Sequence, residues 1–298
     1  CTYLDAIQIK VEISSLPAAP SPPLLNPDAF TSAIILTTLA GLCTVLGGLL
    51  VWFAKQENER LLTVALGFAA GVMLFISLGH LLEEARELLE PSFGSYAGGL
   101  LVFVCFLGGV LLVVGIDHVM PTPEHPHRAS TEQDMRAEAR PLMRRLAQSS
   151  LLRLGILLTV TLSIHNFPEG IATFVSSMKD FKLGLPIAIA IAIHNIPEGI
   201  TVAMPLYYAT GSRWYALSFS LVAGLAEPLG ALAAWALLMP IMTDGVMGGL
   251  YAATAGIMVF IALDQLLPAA RAYGLHRLAL IGMIVGLLVM GISIVLIH

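Results

Sequence analysis

Eight long apolar stretches separated by short polar segments dominate the chain. They cover about 30–54, 61–82, 95–116, 151–175, 183–208, 214–239, 247–267 and 277–297. A helix needs about 20 mostly apolar residues to cross the hydrocarbon core of a bilayer, so each stretch predicts one transmembrane helix. Several stretches carry polar residues near their middle, which a bundle would shield from lipid. The pattern therefore predicts an all-α fold, a polytopic membrane bundle of eight helices.

Two segments outside these stretches differ in composition. Residues 1–29 are Pro-rich and are expected to form a flexible tail, without the charged and apolar regions of a signal peptide. The segment of about 117–150 holds several histidines and then a stretch rich in Glu, Arg and Ala. It is expected to be a cytoplasmic loop that sets topology, and regulatory metal binding is the alternative. The transmembrane domain is thus predicted at 30–298.

Composition supports a chain surrounded mainly by lipid. Of the 298 residues, 57% are hydrophobic and only 12% are charged, whereas soluble domains carry about 25% charged residues. The net charge of -5 argues against a nucleic-acid partner, which calls for a basic face. The three cysteines show no spacing that indicates a disulfide framework or a cysteine metal site.

The distribution of basic residues predicts the orientation. Eleven of the fifteen Lys and Arg residues lie in the segments that follow the first, third, fifth and seventh stretches. Because cytoplasmic loops carry the excess of positive charge, those segments are expected inside the cell. Both termini are then extracytoplasmic, in a multi-pass protein of the inner (plasma) membrane.

Two sequence blocks recur along the chain. Residues 68–85 align without gaps to 253–270, and residues 39–52 align to 222–235, at offsets of 185 and 183. Because five helices lie between the members of each pair, the two copies cross the membrane in opposite directions. The sequence predicts an inverted repeat that relates helices 1–3 to helices 6–8. Such repeats are typical of secondary transporters, which bind substrate near the midplane.

Two nearly identical hexamers occupy the middle of the fourth and fifth helices. They read HNFPEG at 165–170 and HNIPEG at 194–199. A carboxylate at the centre of a membrane helix costs about 2.5–3.5 kcal/mol on insertion scales, and no Lys or Arg lies mid-span to neutralise these two. His and Glu at positions i and i+4 share one helix face, and imidazole with carboxylate suits zinc and other first-row divalent ions. A polar packing point is the alternative for either hexamer alone.

A third mid-span carboxylate, Glu227, follows in the sixth helix beside Pro228, and its repeat mate in the first helix is the uncharged Thr44. Three glutamates could neutralise or bridge two divalent ions, and Asn166 and Asn195 could add neutral oxygen ligands. The seven candidate metal-binding residues are His165, Asn166, Glu169, His194, Asn195, Glu198 and Glu227.

The two hexamers and the later Ala226-Glu227-Pro228 resemble the ZIP family of divalent metal transporters, in its bacterial ZupT type. The resemblance covers about 30–297. It implies a binuclear site on helices four to six, and zinc uptake with tolerance for iron, manganese, cobalt or cadmium. One metal position, as for iron, would use Asn166, Glu169, Asn195, Glu198 and Glu227. The other, as for zinc, would use Glu169, His194 and Glu198, with His165 contributing. Zn²⁺ and Fe²⁺ are then transported ions, and no cofactor is expected.

Other interpretations remain open from the sequence. An inverted repeat is equally compatible with export, and a homodimer is compatible with the pattern. A membrane-embedded zinc hydrolase would need a motif such as His-Glu-x-x-His, and Asn166 and Asn195 stand where its glutamate would be. The chain is therefore not expected to be an enzyme. His80, followed by two glutamates, marks either a metal entrance or a solvated helix end, and Asp264 with Gln265 mark the corresponding exit.

Overall fold

The computed structural model describes residues 27–55, 58–120, 132–238 and 241–297, and only the backbone of 132–147 and 297. These described residues form eight helices. They are α1 Pro27–Trp52, α2 Glu59–Phe93, α3 Ser95–Val119, α4 Glu132–Lys179, α5 Phe181–Thr210, α6 Arg213–Leu238, α7 Asp244–Arg271 and α8 His276–Ile297. Each contains a stretch long and apolar enough to cross a membrane, which confirms the predicted eight-helix membrane bundle.

Short polar side chains begin several of the helices. Asn58, Ser212 and Thr243 precede α2, α6 and α7, and each accepts a hydrogen bond from a backbone N–H in the first turn that follows. Such caps satisfy backbone donors that the helix itself leaves free. At the other end of α5, Gly211 adopts a positive φ of 74°, which ends the helix and allows a tight connection to α6.

The two ends of the bundle are named here after the residues that flank α1. At the Pro27 end, Lys179 at the end of α4 lies 3.8 Å from Asp244 at the start of α7. At the Lys55 end, Arg153 of α4 forms a 2.9 Å ion pair with Asp117 of α3. Short connections and these contacts indicate that successive helices run in opposite directions. Each helix therefore extends from one end of the bundle to the other.

Helix packing confirms the inverted repeat. A Cβ added at Gly71 of α2 would clash with the carbonyl oxygen of Met283 in α8. Its repeat mate, Gly256 of α7, packs in the same way against the carbonyl oxygen of Phe106 in α3. A π-helical turn also lies at equivalent positions of the two copies, Ser77–Leu81 in α2 and Ile261–Leu266 in α7. The pseudo-twofold relation thus pairs α2 with α7 and α3 with α8.

The same relation extends to the central helices, which the sequence repeat did not include. A Cβ at Gly170 of α4 would clash with the carbonyl oxygen of Glu227 in α6, and one at Gly199 of α5 would clash with that of Thr44 in α1. Each of these glycines is the last residue of its hexamer, and Thr44 and Glu227 are repeat mates. Therefore α4 corresponds to α5 and α1 to α6, and the hexamers face each other across one pseudo-axis.

Three predicted boundaries differ from the structure. Residues 1–26 of the expected tail lie outside the described residues, and 27–29 belong to α1. Within the expected loop of 117–150, residues 121–131 are not described, whereas 132–150 are helical and form the start of α4. Likewise α2 continues to Phe93. At the start of α4 and the end of α2, Glu, Arg, Ala and Leu favour a helix. The charged residues among them end the apolar pattern by which a span is recognised, but they do not end the helix.

Candidate metal centre

All seven predicted site residues are buried in the middle of the bundle. None of these described residues exposes more than 4% of its surface, and His165, Asn166, Asn195, Glu198 and Glu227 expose none. Both hexamers remain helical through their prolines, so α4 and α5 present them along one shared interface. Three carboxylates and two imidazoles therefore lie where bulk water does not solvate them.

Each histidine pairs with the glutamate of the opposite helix. His165 Nε2 lies 2.9 Å from Glu198 Oε1, and His194 Nε2 lies 3.3 Å from Glu169 Oε2. The expected partnership of His and Glu within one helix is therefore not the one observed. The pseudo-axis runs between α4 and α5, which places the start of each hexamer opposite the end of the other. Both pairs obey the same symmetry.

The two asparagines attach the hexamers to the outer helices of the core. Asn166 Nδ2 donates to the carbonyl oxygen of Ala223 in α6 at 3.3 Å, and Asn195 Nδ2 donates to that of Ala40 in α1 at 2.8 Å. Asn195 Nδ2 also donates to Glu227 Oε1. Because both amide nitrogens are occupied as donors, the two amide oxygens are left as acceptors.

Most of the unsatisfied buried polar atoms in the described chain gather at this site. Of ten such side-chain atoms, six belong to predicted site residues and a seventh is the hydroxyl of Thr44. The seven atoms are Thr44 Oγ1, His165 Nδ1, Asn166 Oδ1, Glu169 Oε1, Asn195 Oδ1, Glu198 Oε2 and Glu227 Oε2. A buried polar atom without a partner costs about 1–3 kcal/mol, so such a concentration calls for an absent partner. Nearly all are acceptors, which fits a cation.

The side chains are paired rather than arranged around one point. Among the described residues, no group of three His, Cys, Asp or Glu side chains has the placement needed to hold one metal ion. The structure thus brings all seven predicted residues into one buried cluster, with each imidazole engaged by a carboxylate.

A cavity of about 100 Å³ leads to the site from the Pro27 end. Its polar lining consists of His80 and Glu84 from α2, Tyr251 from α7, and the site residues Glu169 and His194. The remaining lining is mainly apolar. His80 and Glu84 therefore share a cavity with the metal centre, as expected of residues at an entrance.

A larger cavity of about 480 Å³ lies at the Lys55 end between α4 and α7. It is lined by Arg153, Asp264, Gln265 and Tyr273, but by none of the seven described site residues. Fully buried leucine and isoleucine side chains lie in α2, α4 and α7 at this end of the bundle. They are Leu66, Leu157, Leu158, Leu162, Ile261 and Leu266. Of these two cavities among the described residues, only the one at the Pro27 end reaches the candidate site.

Two residues of this region were not predicted as functional. Thr44 was named only as the uncharged mate of Glu227, although the repeat alignment already placed it opposite the site. Tyr251 lies in the cavity between Glu84 and Glu169. A single tyrosine in an apolar helix carries no pattern that would reveal such a position, because only the packing of α7 against α2 and α5 creates it.

Comparison with known proteins identifies similar sequences over most of the chain. The profile of the family described as "ZIP Zinc transporter" matches residues 121–294. Proteins named zinc transporter ZupT are similar over almost their whole length. The one from Streptococcus mutans is 46% identical over 267 residues, which are 89% of this chain and 97% of that protein. Those from Oceanobacillus iheyensis and Akkermansia muciniphila are 45% and 44% identical, covering 90% and 91% of this chain and 99% of each relative.

Proposed function

Because the chain belongs to the ZIP family of zinc transporters, we propose that it carries Zn²⁺ across a membrane through the buried centre of α4, α5 and α6. The observation that carries this proposal is the set of unsatisfied acceptors on His165, Asn166, Glu169, Asn195, Glu198 and Glu227. A divalent cation satisfies several of these atoms at once and offsets the buried carboxylates. Zinc is the cargo of this site and not a resident cofactor.

The ligands would divide between two ion positions. His194, Glu169 and Glu198 combine nitrogen and carboxylate donors, which suits Zn²⁺. His165 joins them once its bond to Glu198 opens. Asn166, Asn195 and Glu227 supply oxygen donors to a second position beside the first, with Glu169 and Glu198 shared between the two. Carboxylate and amide oxygens also suit Fe²⁺ and Mn²⁺, so a range that includes these ions, cobalt and cadmium is part of the proposal.

The ion would reach the centre from the Pro27 end. Glu84 and His80 attract it to the cavity, and Glu169 with His194 receive it at the inner end of the same cavity. Release would require the packed leucines at the Lys55 end to separate, so that His165 and Glu198 open toward Asp264 and Gln265. Transport therefore involves a second arrangement of the bundle in which the accessible end is exchanged.

The distribution of basic residues indicates the orientation of this route in the membrane. Lys55, Arg60, Arg153, Arg213 and Arg271 all lie near the Lys55 end of the described helices. With the positive-inside rule, that end faces the cytoplasm and the Pro27 end faces outward. Both termini then lie outside the cytoplasm, and the resemblance to the ZIP family implies that zinc moves inward across the plasma membrane. Pairing of two copies stays a prediction, which native mass spectrometry of the purified protein can test.

Uptake of radioactive zinc into proteoliposomes tests the proposal. Glu169→Ala and Glu198→Ala are expected to abolish uptake, since each removes a carboxylate shared by both ion positions. Glu87→Ala, at an exposed position of α2, is the matched control and is expected to transport like the unaltered chain. Full uptake by both site variants, in protein that is folded by size-exclusion chromatography, would exclude this site as the route.

The same preparation separates the alternatives. With zinc on either side and vesicles sorted by orientation, faster loss than gain across the natural orientation would identify an exporter. Zinc-dependent cleavage of peptide or lipid substrates by the purified chain would identify a hydrolase. We expect no net export in this experiment. We also expect no cleavage, because Asn166 and Asn195, which follow the histidines, donate to backbone carbonyls and have no carboxylate to act as a general base.

A further inference from the structure

The metal centre is built from three symmetry-related pairs of oxygen donors. Asn166 corresponds to Asn195 and Glu169 corresponds to Glu198, because the two hexamers are mates across the pseudo-axis. The third pair joins Glu227 of α6 to Thr44 of α1. Two of the pairs are chemically identical, and the third contains a carboxylate on one side and a hydroxyl on the other.

Thr44 occupies a place equivalent to that of Glu227. A Cβ added at Gly224 would lie 3.2 Å from Thr44 Cβ, and one added at Gly41 would lie 3.3 Å from Glu227 Cβ. Because Gly41 and Gly224 are themselves repeat mates, the two side chains lie on opposite sides of the same helix crossing. Thr44 thus packs near Gly224, which follows the Ala223 that anchors Asn166, as Glu227 packs near Gly41, which follows the Ala40 that anchors Asn195.

The hydroxyl of Thr44 has no partner among the residues that the structure describes. Its side chain is fully buried, and Oγ1 accepts or donates no hydrogen bond. Thr37 and Thr159 instead donate to a backbone carbonyl one turn earlier, whereas Thr63 and Thr173 are buried without a partner as Thr44 is. Five other oxygens share this condition at the centre. They are Asn166 Oδ1, Glu169 Oε1, Asn195 Oδ1, Glu198 Oε2 and Glu227 Oε2.

From these contacts we infer that Thr44 is a metal ligand, which supplies its hydroxyl as the sixth oxygen around a cation on the pseudo-axis. The inference rests on the proposed function and adds one residue from α1 to it. Three symmetric pairs of oxygens form the six-coordinate, oxygen-rich environment that Mn²⁺ and similar hard ions prefer. Zn²⁺ is satisfied by four ligands and depends less on a sixth.

Removal of the hydroxyl should therefore affect the two metals differently. Thr44→Val keeps the shape of the side chain, whereas Thr44→Ser keeps the oxygen, so the two form a matched pair. Binding is measured on the purified full chain by equilibrium dialysis and by electron paramagnetic resonance of bound Mn²⁺. We expect Thr44→Val to weaken Mn²⁺ binding about tenfold and zinc binding about threefold or less, comparable to the loss of one hydrogen-bonded ligand. Thr44→Ser should bind both ions as the unaltered chain does.

An exchange of the two residues gives a second test that does not depend on the valine variant. Glu227→Thr alone should lose Mn²⁺ binding, and the double variant Thr44→Glu with Glu227→Thr should regain it, because the pseudo-axis makes the two positions equivalent. A residue that served only packing would not be rescued by this exchange.

Unchanged Mn²⁺ affinity in folded Thr44→Val, or equal losses for Mn²⁺ and Zn²⁺ in Thr44→Val and Thr44→Ser, would overturn the inference. Failure of the double variant to regain Mn²⁺ binding would do the same. These outcomes leave the transport proposal intact, since that proposal depends on Glu169 and Glu198 and is tested by uptake. If Thr44→Val does not fold, Thr44→Ala replaces it with the same expected pattern.

Discussion

The two ends of the metal centre share a backbone framework but differ in packing. Toward the Pro27 end, Ala190 of α5 lines a cavity that reaches Glu169 and His194. Toward the Lys55 end, its symmetry mate in α4 is Thr161, which is fully buried and bonded to the carbonyl of Leu157. The helices around the site are thus related by symmetry, but, in the part of the chain that the structure describes, the cavity that reaches the site is present on one side only. The difference teaches that access depends on side-chain packing along α4 and α5, whereas the site itself is close to symmetric.

Thiol labelling would test the contrast between the ends most strongly. In a chain whose native cysteines are replaced by alanine, Ala190→Cys is expected to react with a small soluble maleimide when zinc is absent. Thr161→Cys should react at least about 100-fold more slowly, which corresponds to a local opening free energy of about 2.7 kcal/mol. Mass spectrometry of both variants over time gives the rates. Equal rates would mean that the two ends are equally accessible.

Loss of either imidazole should be equally severe, because this part of the site is symmetric. His165→Ala leaves Glu198 buried without its partner, and His194→Ala does the same to Glu169. Removal of one member of a buried ion pair costs about 3–5 kcal/mol, so both variants should unfold at clearly lower denaturant concentration in detergent. His118→Ala, at an exposed position of α3, is the control. A large difference between the first two variants would show that the two pairs are not equivalent.

The glycines that close the hexamers should also behave alike. Gly170→Ala and Gly199→Ala each force a methyl group against a backbone carbonyl, of Glu227 and Thr44 respectively. Backbone cannot move aside as a flexible side chain does, so overpacking of about 1–3 kcal/mol is expected for both. Thermal unfolding in detergent measures it, with Gly108→Ala as the control because nothing lies near its added Cβ. Stability equal to that of the control would contradict the described helix crossings.

The framework was predictable from sequence because it depends on local signals. Apolar stretches of span length, the basic residues of alternate segments and the two repeat blocks gave the helix number and the inverted relation of α1–α3 to α6–α8. The two hexamers supplied six of the seven predicted site residues and Glu227 of α6 the seventh, since a mid-span carboxylate without a basic neighbour indicates a bound cation. Each of these signals lies within one segment of the sequence or appears when two segments are aligned.

What the sequence did not reveal depends on contacts between helices. The pairing of His165 with Glu198 follows from how α4 faces α5, and the periodicity of one helix cannot give it. The extension of α2 to Phe93 and the start of α4 at Glu132 were missed because charged helix formers end an apolar pattern without ending a helix. The cavity at Glu84 and Tyr251 exists only through the packing of α2, α5 and α7.

A smaller effect is expected at the closed Lys55 end. Asp117→Asn removes the carboxylate that pairs with Arg153, whose guanidinium also donates to the Asp117 carbonyl oxygen at 2.9 Å. The pair is partly exposed, so less than about 1 kcal/mol of unfolding free energy should be lost. Denaturant unfolding at low and high salt checks this, since screening should diminish the difference. A loss of several kcal/mol would show that this pair, and not the buried leucines, holds the end closed.

The location of bound zinc tests the central claim most directly. Crystals of the full chain grown with zinc would be measured at wavelengths on both sides of the zinc absorption edge, so that anomalous scattering identifies the ion. We expect a peak between the hexamers of α4 and α5, with nitrogen and oxygen ligands from His194, Glu169 and Glu198 at about 2.0–2.2 Å. The same crystals of Glu198→Gln should lose this peak. Zinc bound only outside this interface, with the two His–Glu pairs still intact, would contradict the account.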